Sequence, residues 1–156
     1  YKTMDEGPYL LVIDSEYYAD VSEELVKGAL AEIGKSGGTY TRVSVPGAFE
    51  IPGAIRMAVR SLELVGGRRR FDGYVALGCV IRGETSHYDH VCQEVTRGLM
   101  DIALNFSVAV GNGVLTCENK EQAMFRANPE KGNKGGFAAA AAIRMIDVKR
   151  QILPPR

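Results

Sequence analysis

Apolar residues recur along this chain in two alternating rhythms. Tyr9-Leu-Leu-Val-Ile-Asp14 is a short, nearly unbroken apolar run, the mark of a buried strand. Val21, Leu25, Ala29 and Ile33 then fall on every fourth position, with Val26 and Leu30 beside them, which predicts one face of a helix. Asp20 and Glu23 predict a capping box at its start, and the glycines between Gly34 and Gly38 its end. Thr39–Val45 reads as a second strand, broken by Pro46-Gly47. Ile51, Ile55, Ala58, Val59 and Leu62 mark the next helical face, with Pro52 in its first turn. Tyr74–Val80 is a third strand, and Val91, Val95, Leu99, Ile102, Ala103 and Phe106 follow as a long helical stripe. Val108–Thr116 is a fourth strand, interrupted by Gly111-Asn-Gly113. Asn119 and Gln122 predict the cap of a short helix from Lys120 that Asn128-Pro129 ends. A last helix is predicted from Phe137 through Ile146, with Pro154-Pro155 beyond it.

Strand and helix therefore alternate four times before one further helix. That order implies a three-layer αβα domain over residues 1–156, with a four-stranded parallel sheet covered by helices on both faces. Ligands on such sheets bind beyond the carboxyl ends of the strands, so chemistry is expected in the loops after Asp14, Val45, Val80 and Thr116.

Composition narrows the classes. Lys+Arg and Asp+Glu are 19 each, so nothing global attracts nucleic acid or an anionic membrane. No run approaches the roughly 20 apolar residues of a membrane span, and no signal-peptide pattern opens the chain. The three cysteines, Cys79, Cys92 and Cys117, are widely spaced and form no CxxC pair, which favours reduced thiols in a cytoplasm over disulfides or zinc. The basic segment Gly66–Arg70 reads as a solvated turn, with an anion site as its sharper alternative.

The loops carry the candidate chemistry. Tyr17 and Tyr18 follow the first strand, where a ring could stack on a flat heterocycle or simply cap the sheet. Ala48, Phe49 and Glu50 follow the second, Phe49 offering a face and Glu50 an acceptor that equally suits a helix start. After the third strand, Gly83 permits a sharp turn, and Thr85 and Ser86 stand where helix N–H groups are free to take an anion such as phosphate. Both histidines of the chain, His87 and His90, lie in the first turn of that helix. A near-neutral imidazole at position 87 suits proton transfer, and a capping histidine is the plainer alternative. Their i, i+3 spacing differs from the usual helical metal pair and no third ligand is evident, so no metal is expected. Asn112, Arg126 and Lys134 come from the last part of the chain; Arg126 reads either as a bidentate phosphate grip or as a solvated helix charge. Neither GxxxxGK[ST] nor GxGxxG occurs.

Taken together, Val45-Pro-Gly-Ala-Phe-Glu-Ile-Pro52, Gly78-Cys-Val-Ile-Arg-Gly-Glu-Thr-Ser-His-Tyr-Asp89, Gly113-Val-Leu-Thr-Cys-Glu-Asn-Lys-Glu-Gln-Ala123 and Gly132-Asn-Lys-Gly135 closely resemble the 6,7-dimethyl-8-ribityllumazine synthase family. The resemblance runs from about Leu10 to Arg150. It implies a flavodoxin-like fold and the penultimate step of riboflavin synthesis, the condensation of 5-amino-6-(D-ribitylamino)uracil with 3,4-dihydroxy-2-butanone 4-phosphate, without cofactor or metal. It implies that Tyr17 stacks on the pyrimidine and that Ala48, Phe49 and Glu50 bind the pyrimidine and its ribityl chain. Cys79, Val80 and Ile81 would form a second wall, Glu84 and Thr85 the phosphate turn, His87 the proton donor, Arg126 the phosphate grip and Lys134 a nearby basic residue. It also implies homopentamers, or larger shells, with sites between adjacent subunits. Three positions depart from the family pattern. Glu16-Tyr17-Tyr18 replaces a common Arg-Phe-Asn, Asn112 stands where many members carry an aromatic from the neighbouring subunit, and Asn128-Pro129-Glu130 replaces a glycine-rich kink, which argues against the shell.

Rival readings are a non-catalytic flavin- or lumazine-binding module, a pentameric riboflavin synthase, and a receiver or flavodoxin-like carrier. A module would not need Thr85, His87 and Arg126. A receiver would want clustered acids after its first strand, where only Asp14 and Glu16 stand.

Overall fold

The structure, a computed structural model, describes residues 7–64 and 71–154, with the backbone alone at 62–64. The basic segment Gly66–Arg70, the side chain of Leu62 and Pro155 lie outside the described residues. Four strands, β1 (Tyr9–Ser15), β2 (Thr39–Val45), β3 (Gly73–Ile81) and β4 (Ala109–Cys117), form one sheet in the order β2-β1-β3-β4. Every pairing is parallel. The helices are α1 (Ala19–Lys35), α2 (Ile51–Leu64), α3 (His87–Phe106), α4 (Lys120–Ala127) and α5 (Lys134–Ile152), with a single 3-10 turn at Ala48–Glu50 before α2. This is the expected three-layer αβα arrangement.

Strand alternation divides the core in two. Leu10 and Val12 of β1 and Val75, Leu77 and Cys79 of β3 face α1, α4 and α5. Leu11, Ile13, Tyr74 and Ala76 face α2 and α3. The central strands are covered on both sides, which is why β1 and β3 read as continuous apolar runs. The stripe Val21, Leu25, Ala29 and Ile33 is fully buried, as its period requires. Truncating one of these, Leu25→Ala, would cost about 2–5 kcal/mol.

Three local expectations are corrected. The capping box at Asp20 and Glu23 does not form. Tyr18 occupies the N-cap with no side-chain cap, Asp20 pairs with Lys120 at 2.8 Å, and Glu23 pairs with Arg42 at 2.7 Å, so tertiary partners outcompete the local cap. β4 is not interrupted at Gly111-Asn-Gly113. A Cβ on Gly111 would overlap the Ala138 carbonyl oxygen, so the glycines let α5 lie against the strand rather than break it. α5 begins at Lys134, before Phe137, because Asn133 caps it from the left-handed region (φ 48°) by accepting the Gly136 N–H at 3.3 Å. A Cβ on Gly135 would overlap the Leu25 carbonyl, so the small residues there serve close packing of α5 on α1. The predicted cap at Asn119 is present, its side chain accepting the Gln122 N–H at 2.9 Å.

The sheet's carboxyl rim is stepped. Ser15 is level with Val45, and Asp14 with Leu77, but β3 and β4 continue to the Ile81–Cys117 pair. Three further residues at about 3.3 Å each raise that half of the rim by roughly 10 Å.

Candidate active site

The lower step carries the aromatic residues. The Glu16 N–H donates to the Val45 carbonyl at 2.8 Å, which ties the β1 and β2 loops side by side. Tyr17 meets Tyr18 edge to face, ring centroids 4.9 Å apart, and remains 75% exposed. Tyr18 packs inward on the core, with the Lys120 ammonium 5.7 Å from its ring. Phe49 is 63% exposed on the 3-10 turn, beside exposed Glu50 and buried Ala48. Two adjacent loops thus hold rings in water that no core contact requires there, which is where a flat ligand would recover the cost.

Above this shelf stands β3. Beyond Leu77 it has no β1 partner, so from Gly78 to Ile81, though still paired with β4, its β1-side edge overlooks the shelf with no strand on that side. A Cβ on Gly78 would crowd the Ser15 hydroxyl and Ile51, so the wall meets the floor closely. The three predicted wall residues behave differently. Cys79 is buried toward α1, where burial pushes its thiol up to about 12, with Cys117 beside it adding to the effect. Its thiol therefore faces away from the shelf's α2 side. Val80 packs on the α2/α3 core, and Ile81 on the opposite one.

At the top of the wall, residues 82–87 are all exposed. The Thr85 hydroxyl accepts the His87 N–H at 3.3 Å, whereas Ser86, the formal N-cap, makes no side-chain cap. Gly83 takes no left-handed φ, and a Cβ there would meet nothing within 4 Å, so the turn is open rather than strained. His87 opens α3, His90 follows it on the surface, and the His90 N–H is taken by the Ser86 carbonyl at 3.2 Å. Among the described residues no three His, Cys, Asp or Glu side chains gather to hold a metal ion.

The fold brings Tyr17, Ala48–Glu50, Val80, Ile81, Glu84, Thr85 and His87 to one stepped rim. Three candidates lie apart from it. Asn112 pairs in register with Ala76, four residues before Thr116, so it sits roughly 13 Å down the exposed edge strand, its side chain accepting the Val114 N–H at 3.0 Å. Arg126 lies at the outer side of β4, its guanidinium 3.5 Å from both the Thr116 carbonyl oxygen and the Cys117 sulfur. Lys134 starts α5 and lies 5.8 Å from the Phe137 ring. The packing of neighbouring Gly135 on Leu25 places it alongside α1, on the far face of the sheet from α2 and α3.

Sequence reasoning missed one cluster at the rim. Arg82 donates through Nε to Glu118 at 2.8 Å and through Nη1 to Asp89 at 3.4 Å, and its guanidinium carbon lies 4.4 Å from the centre of the Tyr88 ring. No local spacing signals it, because Glu118 arrives from another loop. Asp14, the acid a receiver would need free, is instead buried and held by Arg42 at 2.9 and 3.1 Å and by the Ser44 hydroxyl.

Comparison with known proteins gives a family. The family model described as 6,7-dimethyl-8-ribityllumazine synthase matches residues 7–150. A protein of that name from Bartonella tribocorum is 45% identical over 150 residues, 96% of this chain and 95% of the relative. The 6,7-dimethyl-8-ribityllumazine synthase 1 of Rhizobium meliloti is 47% identical, covering 92% of this chain and 93% of its own. The Agrobacterium fabrum synthase is 46% identical over 93% of this chain and 97% of its own.

Proposed function

This chain belongs to the 6,7-dimethyl-8-ribityllumazine synthase family, and from that premise we propose how its stepped rim performs the family's reaction. The protein is a transferase that condenses 5-amino-6-(D-ribitylamino)uracil with 3,4-dihydroxy-2-butanone 4-phosphate, releasing phosphate and water, in riboflavin biosynthesis. Its relatives are named as synthases, which supports the enzyme over a non-catalytic binding module.

The pyrimidine lies on the lower step against Tyr17 and Phe49. The unpartnered edge of Gly78–Ile81 offers backbone donors and acceptors to its polar rim, and Glu50 accepts from the ribityl hydroxyls. Cys79 contributes backbone rather than thiol. The butanone phosphate sits at the start of α3, where free N–H groups and the helix dipole favour an anion and Thr85 adds a hydroxyl. Glu84 contributes through its N–H, since its carboxylate would repel the phosphate.

The two reagents already react with one another, an amine with a carbonyl, so the protein needs no nucleophile of its own. Holding them side by side is worth roughly 7–11 kcal/mol. His87 stands between the two subsites and moves the proton as phosphate leaves, a contribution of about 10–100-fold, at or below the low end of general acid–base catalysis. The observation that carries this reading is the step itself. Exposed rings lie on its floor and an open helix start at its top, so the pyrimidine ring and the phosphate are seated at opposite ends of the step, with the reacting amine and carbonyl meeting between them.

Asn112 and Arg126 lie on the β4 side of the sheet and Lys134 on its α1/α5 face, away from the β1–β2 shelf. They serve the site of an adjacent copy, in a homopentamer whose sites lie between subunits. Exposed Met57, Met100 and Leu104 on α2 and α3 support such a covered face. Residues 1–156 act as one domain, in the cytoplasm, where the three thiols stay reduced. Light scattering should give five copies or a multiple of five, and a monomer would contradict the split site. Mixing both substrates with the protein should form the fluorescent lumazine faster than the spontaneous reaction does. A rate equal to the spontaneous one would overturn the reading.

A further inference from the structure

The turn that carries Glu84, Thr85 and His87 makes little contact of its own. Residues 82–87 are all exposed, and the Thr85–His87 hydrogen bond within the turn is local and cannot fix the turn against the body of the protein. What fixes it stands at its two ends. At the start, the Arg82 N–H donates to the Cys117 carbonyl at 2.9 Å, continuing the β3–β4 ladder by one step. At the far end, Tyr88 and Asp89 open the first turn of α3 and face the Arg82 side chain. The Arg82 side chain then closes the gap between these ends. Its Nε binds Glu118 at 2.8 Å, its Nη1 makes a longer, weaker charge contact with Asp89 of α3 at 3.4 Å, and its guanidinium carbon lies 4.4 Å from the centre of the Tyr88 ring.

We propose that Arg82 is a positioning residue for the condensation, clamping both ends of the phosphate turn to Glu118 and so setting where Thr85 and His87 point. Arginine suits this task because one planar fork addresses two carboxylates while its face stacks on an aromatic ring. The clamp is not a stability device. The Arg82 side chain is 43% exposed and its partners more so, and exposed pairs of this kind contribute little to folding. Its effect is geometric, and a misplacement of about 1 Å can cost as much as 10²-fold in rate. Arg82 touches neither reagent in this account.

The proposal rests on the assignment of the α3 turn to the butanone phosphate, and its test separates the two. Arg82→Gln, Glu118→Gln and the double variant are compared with wild type by KM for each substrate, kcat, calorimetric affinity for inorganic phosphate, and Tm. Arg82→Gln should raise KM for the butanone phosphate and Kd for inorganic phosphate roughly tenfold, a fraction of the loss a full 1 Å shift brings. KM for the pyrimidine should stay within about twofold and Tm close to wild type, because the lower step and the core are untouched. The double variant should be no worse than Arg82→Gln alone, the mark of two residues acting as one unit. Unchanged phosphate affinity in an active Arg82→Gln protein overturns the clamp and leaves the site assignment standing. Both KM values rising together with a lowered Tm, or strictly additive effects, also overturn it. A wild type that binds no phosphate overturns clamp and site assignment together.

Discussion

Replacing Arg126 by alanine separates a phosphate-gripping role from a solvated helix charge. Its attachments within the chain are slight, because 3.5 Å to the Thr116 oxygen lies beyond the 2.7–3.2 Å of a good N–H···O bond, and sulfur is a weak acceptor. No carboxylate among the described residues pairs with it. Removing the side chain from α4 therefore costs the fold little, within about 0.5 kcal/mol, since alanine is the best helix former. A charge-assisted bond to phosphate contributes about 1.5–3 kcal/mol. At 1.4 kcal/mol per decade, losing it weakens binding roughly 10–150-fold. Calorimetric titration of Arg126→Ala with the butanone phosphate should show that loss, with the pyrimidine affinity and the urea midpoint unmoved. Arg126→Lys should fall between, keeping the charge without the fork. Butanone phosphate affinity within twofold of wild type would remove Arg126 from the site and leave it a surface charge.

Other consequences are checked more briefly. His87→Ala should lower kcat about 10–100-fold while turnover stays measurable, because proximity supplies most of the acceleration; an unchanged kcat removes His87 from the mechanism. Gly111→Ala forces a methyl into the Ala138 carbonyl and should cost about 3 kcal/mol in urea unfolding, whereas Gly53→Ala, with nothing near on an α2 face, should stabilise by about 1 kcal/mol. Equal midpoints for the two variants would refute the close β4–α5 packing. Burial holds the Cys79 thiol at about 12 in the fold against an ordinary 9.0, so the neutral thiol is the form the fold accommodates. Its contribution is complete below about pH 8.5 and is lost as pH rises toward 12, by up to about 1.4 kcal/mol per unit. Cys79→Ala should flatten that alkaline decline, and an unaltered slope would assign it to other groups.

The layers of the fold were legible because each rests on short-range periodicity. The fully buried stripe from Val21 to Ile33, the continuous runs of β1 and β3 and the Asn119 cap all follow from residues within one turn or one strand of each other. Failures came where distant partners intervene. Asp20 and Glu23 have capping-box spacing but are claimed by Lys120 and Arg42. Gly111 looks like a breaker locally, yet it leaves room for a backbone contributed by another element. The same holds at the rim. Tyr17, Phe49, Thr85 and His87 were legible as loop residues at strand ends, but the step between them depends on how far β3 outruns β1, which only the register reveals. Arg82 escaped notice for that reason too, since its partner Glu118 follows the Ile81–Cys117 pair.

The most direct measurement is a crystal structure of the protein with a lumazine analogue and inorganic phosphate bound together. The ring should lie on the lower step against Tyr17 and Phe49, under the edge of Gly78–Ile81, with phosphate at the Thr85–His87 turn and Arg126 of an adjacent copy reaching it. Both ligands found elsewhere, with the step empty, would contradict the account.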